Sequence, residues 1–469
     1  MHLSRTYSLA VISLILLLLL LLTGYSVLTS NYNFKGSTKD MSHPALEASY
    51  LIWTDGSTIY AKNSLTGMVS YSGSDAATVI NNAITATYDN GGGLVFIKSG
   101  NYSIGSSIVL TSYVTLAGEG WGEQKAPTVL RLADSVNDDV IKTLQQKNYH
   151  ITIRNLQIDG NQGHQIAGSG IHICGTDRPV IEYVMVKWCY YRGIFIEGAL
   201  GGHTTIAPVI KNVYVWSCGK EGLFVAATDS LIQNVDVGHD YTLDDTEPAL
   251  YLYWAHKSLV ANSFFWGSKN GILIDQTNSV LVTGCRVDYN RYDGIVLRCS
   301  SNNVIDGNEI VHNSQRSAGY ADGVYLVGSE TIPCNNNTIS NNFIGEDSDC
   351  QQYHRYAINE EGPYCDNNCI VGNNVHCCCE ERIKWNGANT IVCNNVGYVT
   401  ENSGTATGTS PIYVAHGLSR SPTCVALGVN GVIPYQTSWS NYNSTHIAIY
   451  HNAGEGIAIT VTWYAEYKP

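Results

Sequence analysis

Apolar and polar residues alternate in short runs along most of this chain, and one five-residue run returns many times. In each copy a polar or charged residue and a glycine precede three residues, of which the first and third are apolar; residues 293–297 (Asp-Gly-Ile-Val-Leu) are an example. Further clear copies begin at Arg192, Glu221, Asn270 and Asp322. Alternation with a period of two predicts β-strands whose first and third apolar side chains point inward and whose middle side chain points outward. We expect the recurring glycine to serve the tight turn of each coil.

A second run keeps the same interval of about 26 residues, which is the spacing of a solenoid coil. Clear copies occupy residues 303–310, 337–344, 368–375 and 389–396. Its sixth position is apolar in the early coils and then polar, and we expect these polar side chains to hydrogen-bond to one another along a column inside the solenoid. The members of this expected column are Asn262, Cys285, Asn308, Asn342, Asn373 and Asn394.

These two repeats predict an all-β protein built as a single-stranded parallel β-helix of about ten coils over residues 48–400. One helix, expected at residues 74–90, would cover the open first coil, whose strand edges are otherwise free to pair. The repeat then stops. Residues 401–411 have the composition of a linker, and the short alternating strands of residues 412–469 predict a small β-sandwich.

The first 30 residues contain an uncharged apolar run from Leu9 to Leu22 that follows Arg5. Its length favours a membrane anchor, and the alternative is a cleaved secretory signal peptide. Both interpretations place the rest of the chain outside the cytoplasm. The polar residues 31–47 would form a stalk.

Composition agrees with an exported protein. The net charge is −13, which disfavours nucleic acid as a partner and also disfavours polyanions unless a cation bridges them. The chain has 14 cysteines, which suits an oxidising compartment. Cys189 and Cys218 follow matching strand ends on adjacent coils, so we expect them to be neighbours that could form a disulfide.

Residues 75–84, 91–97 and 114–118 (Val-Thr-Leu-Ala-Gly) resemble the opening of the pectate lyase superfamily. This superfamily includes lyases, epimerase-like proteins and phage tailspikes, and the resemblance implies a right-handed β-helix that engages polysaccharide. The motif at His416-Gly417-Leu418 is similar to small C-terminal modules of phage and extracellular fibres. That resemblance implies a module that binds a glycan or drives a homotrimer.

The outward positions of the first repeat combine carboxylates, aromatic rings and arginines, which is typical of sugar-binding surfaces because sugar rings stack on aromatic faces while hydroxyl groups meet charged groups. Long insertions open onto the same strands, and loops on a rigid scaffold often carry function. The predicted substrate-binding residues are Tyr251, Tyr325, Asp275, Arg298, Tyr356 and His354.

Asp293 and Asp322 stand at the same position of consecutive coils, and we expect them side by side on the outer surface. Paired carboxylates can act as acid and base in glycoside hydrolysis. Polygalacturonase-like hydrolases are similar here: they place aspartates before this Gly-Ile strand and follow them with an Arg-Ile-Lys, which matches Arg382 and Lys384. The chain departs from that pattern at Tyr356, where the family has a histidine. The resemblance implies Asp293, Asp322, Arg382 and Lys384 as catalytic residues.

Two alternatives to a hydrolase remain open. A polysaccharide lyase needs a basic residue beside a carboxylate, often with calcium, and Arg298, Lys384 or Arg355 could supply the base. No cofactor is certain from the sequence, and calcium is the one that this alternative would use. In that alternative Asp275 and Asp293 would hold the metal. A separate candidate cation site is the acidic loop at residues 238–247, through Asp240, Asp244 and Asp245. The second alternative is a non-catalytic glycan-binding adhesin, tailspike-like fibre or structural surface protein.

Overall fold

The computed structural model describes residues 48–122, 127–200, 202–239, 247–345, 353–376, 378–429 and 435–467. The expected anchor at residues 1–30 and stalk at residues 31–47 lie outside these ranges. Within them, no helix has the length and apolar character needed to cross a membrane.

The chain begins with three antiparallel strands and one helix: β1 (Tyr50–Thr54), β2 (Ile59–Asn63), β3 (Val69–Gly73) and α1 (Ala76–Asp89). Asp75 caps the helix by accepting a 2.9 Å hydrogen bond from the backbone N–H of Thr78. The apolar face of α1, including Val79, Ile80 and Ile84, is buried in the main core at the start of the solenoid. The helix therefore caps the first coil as predicted.

Strands of the coils follow. The first part of the solenoid contains β4 (Gly93–Ile97), β5 (Gly100–Ile104), β6 (Ile108–Leu110), β7 (Val114–Gly118), β8 (Thr128–Leu132), β9 (Ile141–Thr143), β10 (Asn148–Tyr149), β11 (Thr152–Asp159), β12 (Ile171–Ile173), β13 (Thr176–Asp177), β14 (Val180–Lys187), β15 (Ile194–Ile196), β16 (Ala199–Leu200), β17 (His203–Thr204), β18 (Val209–Trp216), β19 (Leu223–Val225) and β20 (Leu231–Gly238). The second part contains β21 (Leu250–Tyr253), β22 (Leu259–Ala261), β23 (Phe264–Trp266), β24 (Ile272–Asp275), β25 (Leu281–Thr283), β26 (Arg286–Asp288), β27 (Ile295–Arg298), β28 (Val304–Asp306), β29 (Glu309–Val311), β30 (Val324–Val327), β31 (Thr338–Ser340), β32 (Phe343–Gly345), β33 (Ile358–Glu361), β34 (Cys369–Val371), β35 (Asn374–Val375), β36 (Ile383–Lys384) and β37 (Ile391–Cys393). A short 3₁₀ turn, Gln162–His164, lies between β11 and β12.

Parallel pairing stacks these strands into a β-helix. The first repeat forms an eleven-stranded parallel sheet, here called sheet B, with the order β6-β9-β12-β15-β19-β21-β24-β27-β30-β33-β36. The second repeat forms the larger sheet A, whose long strands β11, β14, β18 and β20 pair in register. Inward isoleucine, leucine and valine side chains of both sheets form one continuous core, as the alternation predicted.

The corner that divides each strand of sheet A is a single residue in the left-handed conformation. Asn155, Tyr183, Asn212 and Asn234 hold φ values of 54°, 54°, 54° and 52° in the middle of the long strands. In later coils the same corner is occupied by Asn262, Gly284, Gly307, Asn341, Gly372 and Asn394. Asparagine and glycine tolerate this conformation, which explains their recurrence in the second repeat.

The recurring glycine of the first repeat has a different cause from the one predicted. Gly294 does not have a positive φ; instead, a Cβ at this position would lie 2.6 Å from the carbonyl oxygen of Gly323 on the next coil and 2.6 Å from an Ile310 methyl group. Close approach of neighbouring coils therefore requires glycine here, rather than a strained turn.

Polar columns run along the inside of the solenoid. In one column each asparagine side chain donates a 3.0 Å hydrogen bond to the side-chain oxygen of the next. The order is Asn308, Asn342, Asn373 and Asn395. Two predicted members, Asn262 and Asn394, are exposed at the corner instead, and Ser263 and Asn395 take the inward position. Two similar columns run through Asn303–Asn337–Asn368 and Asn290–Asn313.

Cys189 and Cys218 also lie in the core of the solenoid, and both are buried and free. Contact between the two thiols, together with burial, raises the pKa of Cys189. They occupy matching positions on adjacent coils as expected, and the disulfide between them stays a prediction.

The C-terminal region forms two three-stranded antiparallel sheets that share a small core. Its strands are β38 (Glu401–Gly408), β39 (Ile412–Ala415), β40 (Cys424–Val429), β41 (Thr437–Asn441), β42 (His446–His451) and β43 (Ile459–Glu466). The sandwich agrees with the prediction, but residues 401–408 are not a linker. They pair with all of β43, from Glu401 opposite Glu466 to Gly408 opposite Ile459. Their small and polar residues suit an edge strand that is exposed on one face.

Candidate functional site

The outward side chains of sheet B form an aromatic row at its N-terminal half. His172, Phe195, Phe224 and Tyr251 are in register on successive strands. The imidazole of His172 stacks on Phe195 with the ring centres 4.3 Å apart, while Phe195 meets Phe224, and Phe224 meets Tyr251, edge to face at 5.4 and 5.0 Å. Strand stacking thus builds a continuous aromatic surface from residues about 26 positions apart in the sequence.

A cavity of about 550 Å³ opens beside this row. Phe195 and Phe224 line it together with Tyr253, the half-exposed Trp254, and Glu197. Glycine and threonine residues of the β16–β17 hairpin region complete the wall. We call this space the aromatic cavity; its mixture of aromatic faces and a few polar groups is that of a small-molecule site.

Glu197 is held at the cavity by His172. The Nε2 atom of His172 lies 3.0 Å from Glu197 Oε2, and its Nδ1 atom lies 2.9 Å from Asp139 Oδ2. Burial alone would lower the pKa of His172, but the hydrogen bonds to the two carboxylates raise it above its ordinary value. The three side chains form a fixed Asp139–His172–Glu197 chain.

An arginine side chain packs against two rings of the aromatic row. The Arg192 guanidinium lies 4.3 Å from the Phe195 ring centre and 4.2 Å from that of Phe224, and its Nε atom donates to Glu221 at 2.8 Å. Glu221 is buried, so the pair is largely shielded from water. The arginine stiffens the aromatic row and is neutralised by its own partner.

Three predicted substrate-binding residues meet in the next part of the face. The Tyr251 hydroxyl donates to Asp275 Oδ2 at 2.8 Å, and Arg298 Nη2 donates to the same oxygen at 2.8 Å. Burial and the Asp275 contact raise the pKa of Tyr251 to about 12. Asp275 is buried, so only the rims of Tyr251 and Arg298 can reach a ligand.

Asp293 is a partly exposed carboxyl with an unusual pKa. Its Oδ1 atom accepts from the backbone N–H of Asp322 at 2.8 Å, and its Oδ2 atom accepts from Asn270 at 3.1 Å. Burial, with the neighbouring Asp322 charge, raises the pKa of Asp293 to about 6. A carboxyl with such a pKa can hold or release a proton near neutral pH.

Asp322 departs from the expectation of an open aspartate pair. It lies beside Asp293 as predicted, but its side chain is fully buried. Arg355 holds it through Nε at 3.0 Å and Nη2 at 2.7 Å, and Asn359 donates to it at 2.7 Å. The arginine comes from a long insertion, and it seals Asp322 from any ligand on the outer face. The expectation that Asp322 is open on the outer surface is therefore wrong. Its catalytic role stays a prediction, and its backbone N–H holds Asp293.

Of the remaining predicted residues, Lys384 and Tyr325 lie on the outer face of sheet B, whereas Arg382 does not. Lys384 pairs with Glu361 at 2.9 Å, and its Nζ atom lies 5.4 Å from the Tyr356 ring centre, so it is part of the charged half of the face. Burial raises the pKa of Tyr325, on the same face, to about 12. Arg382 is exposed and donates to the carbonyl of Gly397, toward the last coil and away from the aspartates.

His354 is not at the surface. It is fully buried, its Nε2 atom accepts from the backbone N–H of Asn313 at 3.2 Å, and burial lowers its pKa to about 3. It continues the Asn290–Asn313 column inside the solenoid and does not lie on the outer face where it was expected, while its substrate-binding role stays a prediction. Asp240, Asp244 and Asp245 lie outside the described residues. Among the described residues, no group of three histidine, cysteine or acidic side chains could hold a metal ion.

Sequence reasoning missed His172, Asp139 and Trp254. The repeat register contained the signal for His172, because it is the outward residue of β12, directly opposite Phe195. Asp139 and Trp254 lie outside the repeated strands, so their position became visible only in three dimensions.

Comparisons with known proteins agree with this architecture. Residues 200–375 match the family model of a right-handed beta helix region, and residues 67–273 match that of rhamnogalacturonase A/epimerase, pectate lyase-like. A comparison with curated proteins gave no match.

Similar solved structures share the fold at low identity. The A-module of mannuronan C-5 epimerase AlgE4 from Azotobacter vinelandii is 21% identical, with a TM-score of 0.56 over 68% of this chain and 96% of that one. The DFA-IIIase of Arthrobacter chlorophenolicus A6 in complex with GF2 is 13% identical, with a TM-score of 0.52 over 69% and 94%. The Dettilon tailspike protein is 11% identical, with a TM-score of 0.51 over 84% and 91%. At these identities the likeness shows the fold alone.

Proposed function

We propose that this chain, a right-handed parallel β-helix of the pectate-lyase-like type, binds polysaccharide along the outer face of sheet B. The observation that carries the proposal is the aromatic cavity, in which Phe195, Phe224, Tyr253 and Trp254 surround one carboxylate, Glu197. Rings of this kind stack on the apolar faces of sugars, and the carboxylate can accept from hydroxyl groups.

The face is long enough for several sugar units. Four strand steps separate β15, at the aromatic cavity, from β27, beside Asp293, which corresponds to about 19 Å at ~4.8 Å per step. The Tyr251–Asp275–Arg298 group lies between them. The similar epimerase module is named for mannuronan, which supports a polysaccharide ligand on this fold.

Binding is tested with a polysaccharide panel in affinity electrophoresis, followed by titration of the best ligand. Trp254→Ala is expected to weaken that ligand about tenfold, the equivalent of about 1.4 kcal/mol of stacking. Trp188→Ala is the matched control, because Trp188 is also a partly exposed tryptophan with a positive φ but directly follows β14, a strand of sheet A. Equal losses in the two variants would contradict the proposal.

Cleavage of the bound polysaccharide is a second candidate function, which Asp293 favours. A proton held by a carboxyl with a pKa of about 6 can be given to a glycosidic oxygen. Asp322 reaches a ligand only if Arg355 swings away. Release of reducing ends measures hydrolysis, and new absorbance of an unsaturated uronate measures elimination. Asp293→Asn should abolish turnover while retaining binding, and unchanged turnover would overturn this assignment.

We further infer that the β-helix lies outside the cell, held there by residues 1–30, and that it assembles as a homotrimer. The apolar run at residues 9–22 and the acidic composition support export. Protease treatment of intact cells should remove the β-helix, and light scattering of the purified protein should give three times the chain mass. Protection in intact cells would contradict the location, and a monomer mass would contradict the assembly.

A further inference from the structure

The aromatic cavity has an unusual charge pattern for a site on a pectate-lyase-like fold. Among the described residues that line it, Glu197 is the single charged side chain. The other lining residues are aromatic residues, threonines, Ile206, a glycine and an alanine. Arg192, the nearest cation beneath the row, is already paired with Glu221. The other nearby cations are outside the lining: the His172 ring is shared between Asp139 and Glu197, and Lys147 donates to the carbonyl of Thr204. A sugar carboxylate in this cavity would therefore have Glu197 as the single charged side chain among the described residues that line it.

The contacts of His172 hold Glu197 in place. Both ring nitrogens lie within 3.0 Å of a carboxylate oxygen, one of Asp139 and one of Glu197. A neutral imidazole has one N–H and could donate to only one of them, whereas the imidazolium donates to both. Stacking on Phe195 fixes the ring plane. The oxygen of Glu197 that His172 does not engage is left to accept from a ligand.

We propose that the aromatic cavity is a subsite for a sugar unit that carries no carboxylate, and that Glu197, positioned by His172, accepts hydrogen bonds from its hydroxyl groups. The inference deepens the proposed function and rests on it. Phe224 and Trp254 supply the stacking surfaces, and Glu197 supplies both the hydroxyl acceptor and the discrimination against uronic acids.

The test uses pairs of oligosaccharides with the same linkage, anomer and length that differ only at C6: galactose with galacturonic acid oligomers, and glucose with glucuronic acid oligomers. For at least one pair, the neutral oligosaccharide should bind at least about tenfold tighter than the acidic one. The affinity for the neutral oligosaccharide should fall in Trp254→Ala. Equal affinity of acidic and neutral members, lost equally in Trp254→Ala, would overturn the subsite while leaving polysaccharide binding in place. Binding of no polysaccharide in the panel would overturn the proposed function and this inference with it.

The variant Glu197→Gln tests the charge of Glu197, because glutamine keeps nearly the same side-chain shape without the charge. It should reduce the preference for the neutral sugar to about threefold or less, because the repulsion of the uronate is gone. Trp188→Ala, at the residue after β14, should keep the wild-type preference. An unchanged preference in Glu197→Gln, with an unchanged unfolding temperature, would contradict the role of the charge.

The role of His172 as a positioning residue has its own readout, the pH profile of binding. Other titratable or charged groups around it are Asp138, Asp139, Lys142, Cys174, Arg192, Glu197 and Glu221. As pH rises and the imidazolium loses a proton, one of its two contacts is lost and Glu197 is released. Affinity for the neutral sugar should therefore fall at least about threefold between about pH 6 and about pH 9. The variant His172→Gln should lack this step, and a profile identical to wild type would contradict the role.

Discussion

Replacing Asp293 by asparagine should change how stability depends on pH. The folded state raises the pKa of Asp293 from 3.8 to about 6, mainly through burial. The native protein therefore binds more protons than the unfolded chain between these values, and its stability falls as pH rises through that window. Asparagine has no such titration. It can keep both contacts, since its oxygen can accept from the backbone of Asp322 and its amide can donate to a flipped Asn270.

The pKa shift of Asp293 sets the size of the pH-dependent change in stability. A change of about two pKa units corresponds to about 3 kcal/mol. By linkage this is the change in stability that a folded-state midpoint near pH 6 requires. The stability of Asp293→Asn relative to wild type should rise by this amount from about pH 4 to about pH 7 and then stay constant.

Urea unfolding of both proteins at several pH values measures this difference. Only the change of the difference with pH enters the argument, so a constant effect of the substitution does not matter. Direct titration of the Asp293 carboxyl by NMR should give a midpoint near pH 6. A stability difference that is independent of pH, or a midpoint near 3.8, would refute both the burial argument and the assignment of Asp293 as an acid.

Two further substitutions test the buried polar groups. Arg355→Met removes the two charged hydrogen bonds to the fully buried Asp322 and should destabilise the protein by about 3 kcal/mol. The control Arg316→Met, at an exposed arginine, should cost under about 1 kcal/mol. Equal urea midpoints for the two variants would contradict the conclusion that Arg355 holds a buried Asp322. Asn342→Asp places a carboxylate against two acceptors in the inner column and should lower the free energy of unfolding by about 3 kcal/mol. The same change at the exposed corner residue Asn394 should be nearly neutral in thermal unfolding. Equal changes in stability at the two sites would contradict a stabilising role for the column.

The architecture was predictable because both repeats keep the side-chain period of strands over many coils. The inner column was harder to assign. A single left-handed residue at each corner interrupts the alternation, so Asn394 and Asn395, or Asn341 and Asn342, cannot be told apart by period alone. The prediction selected Asn394 where the structure uses Asn395.

The functional face was predictable only where its residues belong to the repeat. Tyr251, Asp275 and Arg298 share outward positions of neighbouring strands, and the structure brings them together. Asp322 was placed correctly beside Asp293, but its burial depends on Arg355, which is 33 residues away on an insertion. The aromatic cavity also depends on an insertion, the β16–β17 hairpin region, whose course the repeat does not encode.

The most direct test of the account is an experimental structure of the protein with a bound oligosaccharide chosen from the binding panel. The account predicts a pyranose ring against Phe224 and Trp254 in the aromatic cavity, with a hydroxyl group on Glu197 and the chain running across sheet B toward Asp293. A sugar bound instead beside the stacked Trp121 and Tyr214 of the sheet A face, or on the C-terminal sandwich, would contradict the central claim.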